Sequence, residues 1–350
     1  MAPSRPVTSI ISLEASPSNS RANRTYLVYF ITGNPGLIQY YYTFLTHLFD
    51  LLSPKFSSSI SLKLRIFGRS LSGFEVDEDS KFQESPPHEK GPPYGLEEQI
   101  TQSHKVLEDV VCYDRLNGGT DVRVILVGHS VGAYILLEII RRTREKAAND
   151  PDNGVRIAGG ICLFPTVTHI SHSPSGRKSS WLLNRLHFAH TASIVVKVLT
   201  LLLPFSMLSF LVSSLMSFPS DAARVTTAFV KSKYGVRQAL YARDEMLTIT
   251  SDRWDAEIWG AAHPSKHPHP RPALRFLFAK ADHWVADETR DDLIKVRGLS
   301  KHSDEDWKPI MEVDEVRGWP HGFCIKHSIP VAERVKMYID DVIQSDLERP

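Results

Sequence analysis

Val122-Arg123-Val124-Ile125-Leu126-Val127-Gly128-His129-Ser130-Val131-Gly132-Ala133 is an apolar, β-branched run delivered straight into a G-x-S-x-G pentad. Residues 122–127 are the most strand-like of the chain, and Val131 to Arg144 continues as a helix of long apolar, Arg and Glu side chains. A serine on so sharp a strand-to-helix turn exposes its hydroxyl, while Gly128 and Gly132 let helix and strand approach without clash. The helix N-terminus then aims backbone N–H groups and its dipole at any oxygen beside Ser130. A glycine-flanked helix start with Ser130 as its cap is the ordinary alternative. The strand before the pentad and the helix after it favour the nucleophile.

Working outward, Tyr26 to Thr32 is another almost wholly apolar run, ending in Gly33, and suits a strand buried on both faces. Further strands are expected at 60–67, 156–164, 273–279 and 309–316. Helices are expected at 38–52, from Leu96 to Val111, and from Val331 to Leu347. Strands alternating with helices predict a mainly parallel sheet flanked by helices. The gap between the strands ending near Phe164 and starting near Ala273 is too long for a simple crossover. It predicts a helical, apolar cap insertion at 166–272, set into a core formed by 26–165 and 273–350. Residues 1–25, rich in Ser, Pro and Arg, are expected to be flexible, and carry no sustained apolar core of a secretory signal.

A serine hydroxyl attacks only when a base takes its proton, and the base needs an orienting group. On this kind of sheet the chain order is Ser, acid, His. Asp282, in Ala281-Asp282-His283-Trp284-Val285, follows one strand end, and His321, in Trp319-Pro320-His321-Gly322-Phe323, follows the last. Asp287 and Asp291 fall on the next helix, where a solvated face is expected; His283 and His327 compete on spacing alone. Acyl transfer also needs oxyanion donors. The N–H of Val131 is one, and Thr32-Gly33-Asn34-Pro35-Gly36 supplies another; Pro35 has no N–H, so Asn34 is the candidate.

Composition removes other classes. The 41 Lys+Arg almost cancel 40 Asp+Glu, which argues against nucleic-acid binding through a basic face. Cys112, Cys162 and Cys324 are an odd, scattered set, against a disulfide framework and for a reducing compartment. His263, His267 and His269 stand among prolines with no helix or strand to fix them as ligands, so a metal is not expected.

These features make the chain resemble an α/β-hydrolase and, more narrowly, the lipid-droplet-associated serine hydrolase family. The resemblance runs from Leu27 to the C-terminal helix. It is carried by Thr32-Gly33-Asn34-Pro35-Gly36 with Tyr40-Tyr41-Tyr42, Gln99 with His104-Lys105, and the serine pentad. Leu163-Phe164-Pro165-Thr166 with Ser173-Pro174-Ser175-Gly176, and Asp282-His283-Trp284-Val285, complete it. Ala286 stands where proline is frequent, and Ser175 where the family usually has Asn; neither touches the triad, and both leave substrate preference open. The resemblance implies an esterase or lipase for neutral lipids, sterol esters or triacylglycerols, with no metal or organic cofactor. Acyl transfer to a lipid alcohol, and a surface-organising role on the retained fold, stay open beside hydrolysis.

Residues 198–218 contain no charge. At about 1.5 Å per residue they could just cross a hydrocarbon core of roughly 30 Å. Pro204 interrupts the run and five serines dilute it, so a helix–break–helix lying in a lipid surface fits better than a span. A buried cap is the alternative. The expected place is the lipid-droplet surface, with the endoplasmic reticulum membrane, on the cytosolic face. The partners are the lipid ester and that surface; protein partners are not legible.

Overall fold

The computed structural model describes residues 6–16, 23–59, 61–76, 91–147, 154–183, 200, 203–249, 254, 258–259, 270–299 and 308–348. The apolar runs become strands β1 (Ile10–Ala15), β2 (Arg24–Ile31), β3 (Leu62–Arg69), β4 (Asp121–His129), β5 (Arg156–Leu163), β6 (Ala273–Ala279) and β7 (Ile310–Asp314). They form one sheet in the order β1-β3-β2-β4-β5-β6-β7. Only β1 runs antiparallel to its neighbour. Among the described residues the helices are α1 (Tyr42–Ser57), α2 (Leu96–Leu116), α3 (Val131–Ala147), α4 (Pro174–Leu183), α5 (Phe205–Met216), α6 (Ser220–Lys231), α7 (Gly235–Met246), α8 (Asp287–Arg297) and α9 (Ser328–Glu348).

The sheet is buried on both faces because its central strands carry apolar side chains in both directions. Along β2, Leu27, Tyr29 and Ile31 enter one core together with α2 and α3 residues such as Leu107 and Ile135. Tyr26, Val28 and Phe30 enter the opposite core with Phe44 and Leu48 of α1 and Val335 and Ile339 of α9. Each such side chain contributes about 1.5–3 kcal/mol by leaving water.

One expectation is corrected. Of residues 1–25, expected to be flexible, Ile10–Ala15 pairs with β3, Ile10 opposite Arg69 and Ala15 opposite Leu64, while 1–5 and 17–22 lie outside the described residues. An edge strand buries only one face, so its exposed Ser12 and Glu14 conceal it in sequence.

The register of β2 on β4 sets Ile31 opposite Gly128. The loops leaving both strands, Thr32–Gly36 and His129–Ser130, therefore emerge side by side. The loops after β5, β6 and β7 leave the same edge of the parallel sheet, where such folds gather their ligand-handling residues.

Candidate active site

The pentad owes its shape to two close approaches. A side chain on Gly128 would collide with the backbone carbonyl of Gly132, and one on Gly132 with that of Ile31. Only hydrogen fits at either place. Between them Ser130 is held at φ 56°, the left-handed region, a strain that persists only where surroundings enforce it. Its N–H donates to Leu163 O at 3.0 Å, and its own carbonyl accepts from Ala133 N–H at 3.0 Å in the first turn of α3.

The structure brings together the three residues singled out in sequence. His321 Nε2 lies 3.0 Å from Ser130 Oγ. His321 Nδ1 donates to Asp282 Oδ2 at 2.7 Å, and the other carboxylate oxygen accepts the Trp284 N–H at 2.7 Å. With Nδ1 protonated, Nε2 presents its lone pair to the serine. Ser130 is 4% exposed, and burial raises the strength of each of these bonds over its worth in water.

Each partner has its own support. Asp314, ending β7, accepts the N–H groups of Arg317 (3.0 Å) and Trp319 (2.7 Å), which folds the loop toward His321. Phe323, fully buried against Phe44 and Phe164, anchors its far side. Arg290 of α8 donates to Ala279 O and Lys280 O, tying the helix to the loop that carries Asp282. Asp287 and Asp291, as expected, are solvated on α8 and paired with Arg290. His283 and His327 make no contact with Ser130: His283 O accepts from Ser175 N–H, and His327 N–H donates to Phe323 O.

In the loop after β2, Gly33 N–H donates to Tyr41 Oη at 3.1 Å, and Pro35 has no N–H. The amide of Asn34 stands between them, and that of Val131 opens α3. The Asn34 side chain donates to Ala239 O of α7 at 2.9 Å, and Tyr40 Oη meets Thr226 Oγ1 of α6 at 2.8 Å. Helices α6 and α7 are thus bonded to this loop and to the turn that follows it.

Two features went unread in sequence. Thr166, 1% exposed, places Oγ1 at 3.5 Å from Ser130 Oγ and donates its N–H to Ser130 O at 3.3 Å. Its signal was the Phe-Pro-Thr turn closing β5, beside β4. The second is Tyr41, whose hydroxyl lies 2.7 Å from His129 Nδ1. A cleft of about 450 Å³ opens along His172, Pro174, Arg177, Asp282 and His283. His263, His267 and His269 lie outside the described residues.

A mouse lipid droplet-associated hydrolase is 25% identical over 323 residues, covering 90% of this chain and 85% of the mouse protein. Among solved structures, a peroxisomal alpha-beta-hydrolase of Saccharomyces cerevisiae superposes with a TM-score of 0.53 at 12% identity, over 97% of this chain and 91% of that one. A carboxylesterase of Nitrososphaera gargenis gives a TM-score of 0.50 at 13% identity, over 96% of each chain. At such identities the likeness concerns the α/β-hydrolase fold. The model of the lipid-droplet associated hydrolase family matches residues 24–324. That span holds the sheet from β2 onward, the serine elbow, Asp282 and His321, and the chain belongs to the lipid-droplet associated hydrolase family.

Proposed function

We propose that this chain is a serine carboxylic-ester hydrolase that cleaves neutral lipid esters, sterol esters or triacylglycerols, at the lipid-droplet surface through an acyl-enzyme. The observation that carries the reading is the unbroken line Ser130 Oγ, His321 Nε2, His321 Nδ1, Asp282 Oδ2 at a strained strand-to-helix elbow.

In this mechanism His321 Nε2 takes the Ser130 proton as Oγ bonds to the ester carbonyl carbon. The N–H groups of Val131 and Asn34 receive the oxyanion, and Asp282 stabilises the imidazolium. The C–O bond to the alcohol breaks as His321 returns its proton to the leaving oxygen. Water then attacks the acyl-enzyme, gives a proton to His321, and the carboxylic acid leaves with Ser130 restored. Helices α4 to α7 serve as the cap over this edge of the sheet.

Placement at a lipid surface draws support from α5. Among its residues Phe205 is 41% exposed, Phe210 70% and Leu215 82%, an apolar surface that water alone does not account for. Pro204 starts this helix as its N-cap, and no helix of the described residues is long and apolar enough to cross a membrane. A helix lying in the surface meets both facts.

The test is labelling of the purified protein with a fluorophosphonate. Wild type is expected to label, and Ser130→Ala to lose both the label and about 10⁴–10⁶ of its turnover on a short ester. Labelling that survives Ser130→Ala, or more than a tenth of wild-type turnover, sinks the serine mechanism.

A further inference from the structure

His129 occupies the variable position of the pentad, and packing alone does not account for its environment. The residue is 5% exposed and both ring nitrogens are committed. Nε2 lies 2.8 Å from the backbone carbonyl of His321. A carbonyl only accepts, so Nε2 carries the proton. Nδ1 is then bare and accepts from the Tyr41 hydroxyl at 2.7 Å, and that hydroxyl in turn accepts from Gly33 N–H. Every hydrogen of the chain Gly33 N–H, Tyr41 O–H, His129 Nε2–H has one direction.

Burial, reinforced by the like charge of His321 beside it, holds His129 well below the usual imidazole range. A neutral ring is what the chain requires, since a proton on Nδ1 would remove the acceptor that Tyr41 uses. The Cys324 thiol lies against the same hydroxyl, and burial pushes its pKa up to about 12, so it presents no charge to Tyr41. The rings are clamped as well: His129 stands edge-on to Phe323 with centroids 5.2 Å apart and 5.1 Å from the ring of His321.

We propose that Tyr41 and His129 form a positioning strut that fixes the spacing between the oxyanion loop at Gly33 and the general base by holding the backbone of His321. The inference rests on the serine mechanism above. Its ends explain its use: one end grips the residue before Asn34, the other grips the carbonyl of the base itself. The strut holds the main-chain carbonyl of His321 while Asp282 holds Nδ1 of its ring, so the base is steadied at both. Both strut residues are buried.

Tyr41→Phe keeps the ring and removes the hydroxyl; His129→Leu removes both the donor toward His321 O and the acceptor for Tyr41. Each is expected to lower the acylation rate by a fluorophosphonate about 10- to 100-fold, with kcat on a short ester falling alike and KM held within about twofold. Because the two residues act as one unit, the double variant should cost no more than the worse single one. Simple loss of packing gives additive effects that follow the melting temperature, and that result overturns the strut, as does an unchanged rate in Tyr41→Phe. A second readout needs no activity. The low-field proton resonance of His321 Nδ1–H, sharp in the wild type, is expected to broaden or shift in both variants; an unmoved resonance also overturns the proposal. A wild type that fails to label defeats the serine reading instead, and the resonance still decides the strut.

Discussion

At Asp282 one carboxylate oxygen accepts from the His321 ring and the other from the Trp284 backbone, and the side chain is 4% exposed. Five positions on, Asp287 stands 64% exposed in an ion pair with Arg290 one turn along α8, an arrangement worth little in water. Asp282→Asn should therefore slow acylation by roughly 10⁴, because the amide favours the wrong imidazole tautomer. Asp287→Asn should stay within about twofold of the wild type, as surface changes do. The reverse ranking, in parallel rates on one short ester, would move the acid to Asp287. The sequence separated the two residues because Asp282 follows a strand end while Asp287 falls on the next helix, where a solvated face is expected. It offered no route to Tyr41 meeting His129: that contact exists because β2 and β4 pair with Ile31 opposite Gly128, and register between strands is a non-local property.

At the level of elements, α5 separates place from chemistry. Leu208 is the residue of this helix that turns inward, 8% exposed, while Phe210 and Leu215 face out. Charging Leu208 would disturb the fold; charging the outward pair should not. Phe210→Asp with Leu215→Asp is expected to abolish sedimentation with phospholipid-coated triacylglycerol emulsion, since a charge at the most apolar depth costs up to about 3 kcal/mol. Hydrolysis of a short soluble ester should persist. Undiminished sedimentation would move the anchor out of α5. The central strands and the helices that cover them were legible because each buries whole faces, giving long apolar runs or a 3.6-residue period. The edge strand β1 was not, as its burial alternates and its partner lies far along the chain. Helices α4 to α7 escaped individual reading because their apolar residues answer to an outer surface as much as to a core.

For the molecule as a whole, the segment between β5 and β6 is held at Trp254 as well as at the bonds from Asn34 and Tyr40. Trp254 is fully buried, its indole N–H donating to Glu138 of α3 at 2.8 Å and its ring 5.0 Å from that of Tyr134. Trp254→Ala should destabilise the protein by about 3–5 kcal/mol, read from denaturant midpoints; Trp254→Phe should recover most of that, since Glu138 keeps its pair with Arg141. A loss below about 1 kcal/mol in the alanine variant would mean that this contact does not fasten the segment to α3. The strands joined by that insertion are neighbours, with Gly159 opposite Ala273 and Leu163 opposite Leu277. Residues 164–272 are thus one closed loop whose ends are already registered. The entropy of closing a loop rises only with the logarithm of its length, so doubling it costs about 0.6 kcal/mol. The closure entropy is nearly indifferent to how long this segment becomes, so changes in chain length that keep the Trp254 contact carry little entropic cost here, whereas the same changes would ruin β4 or its elbow.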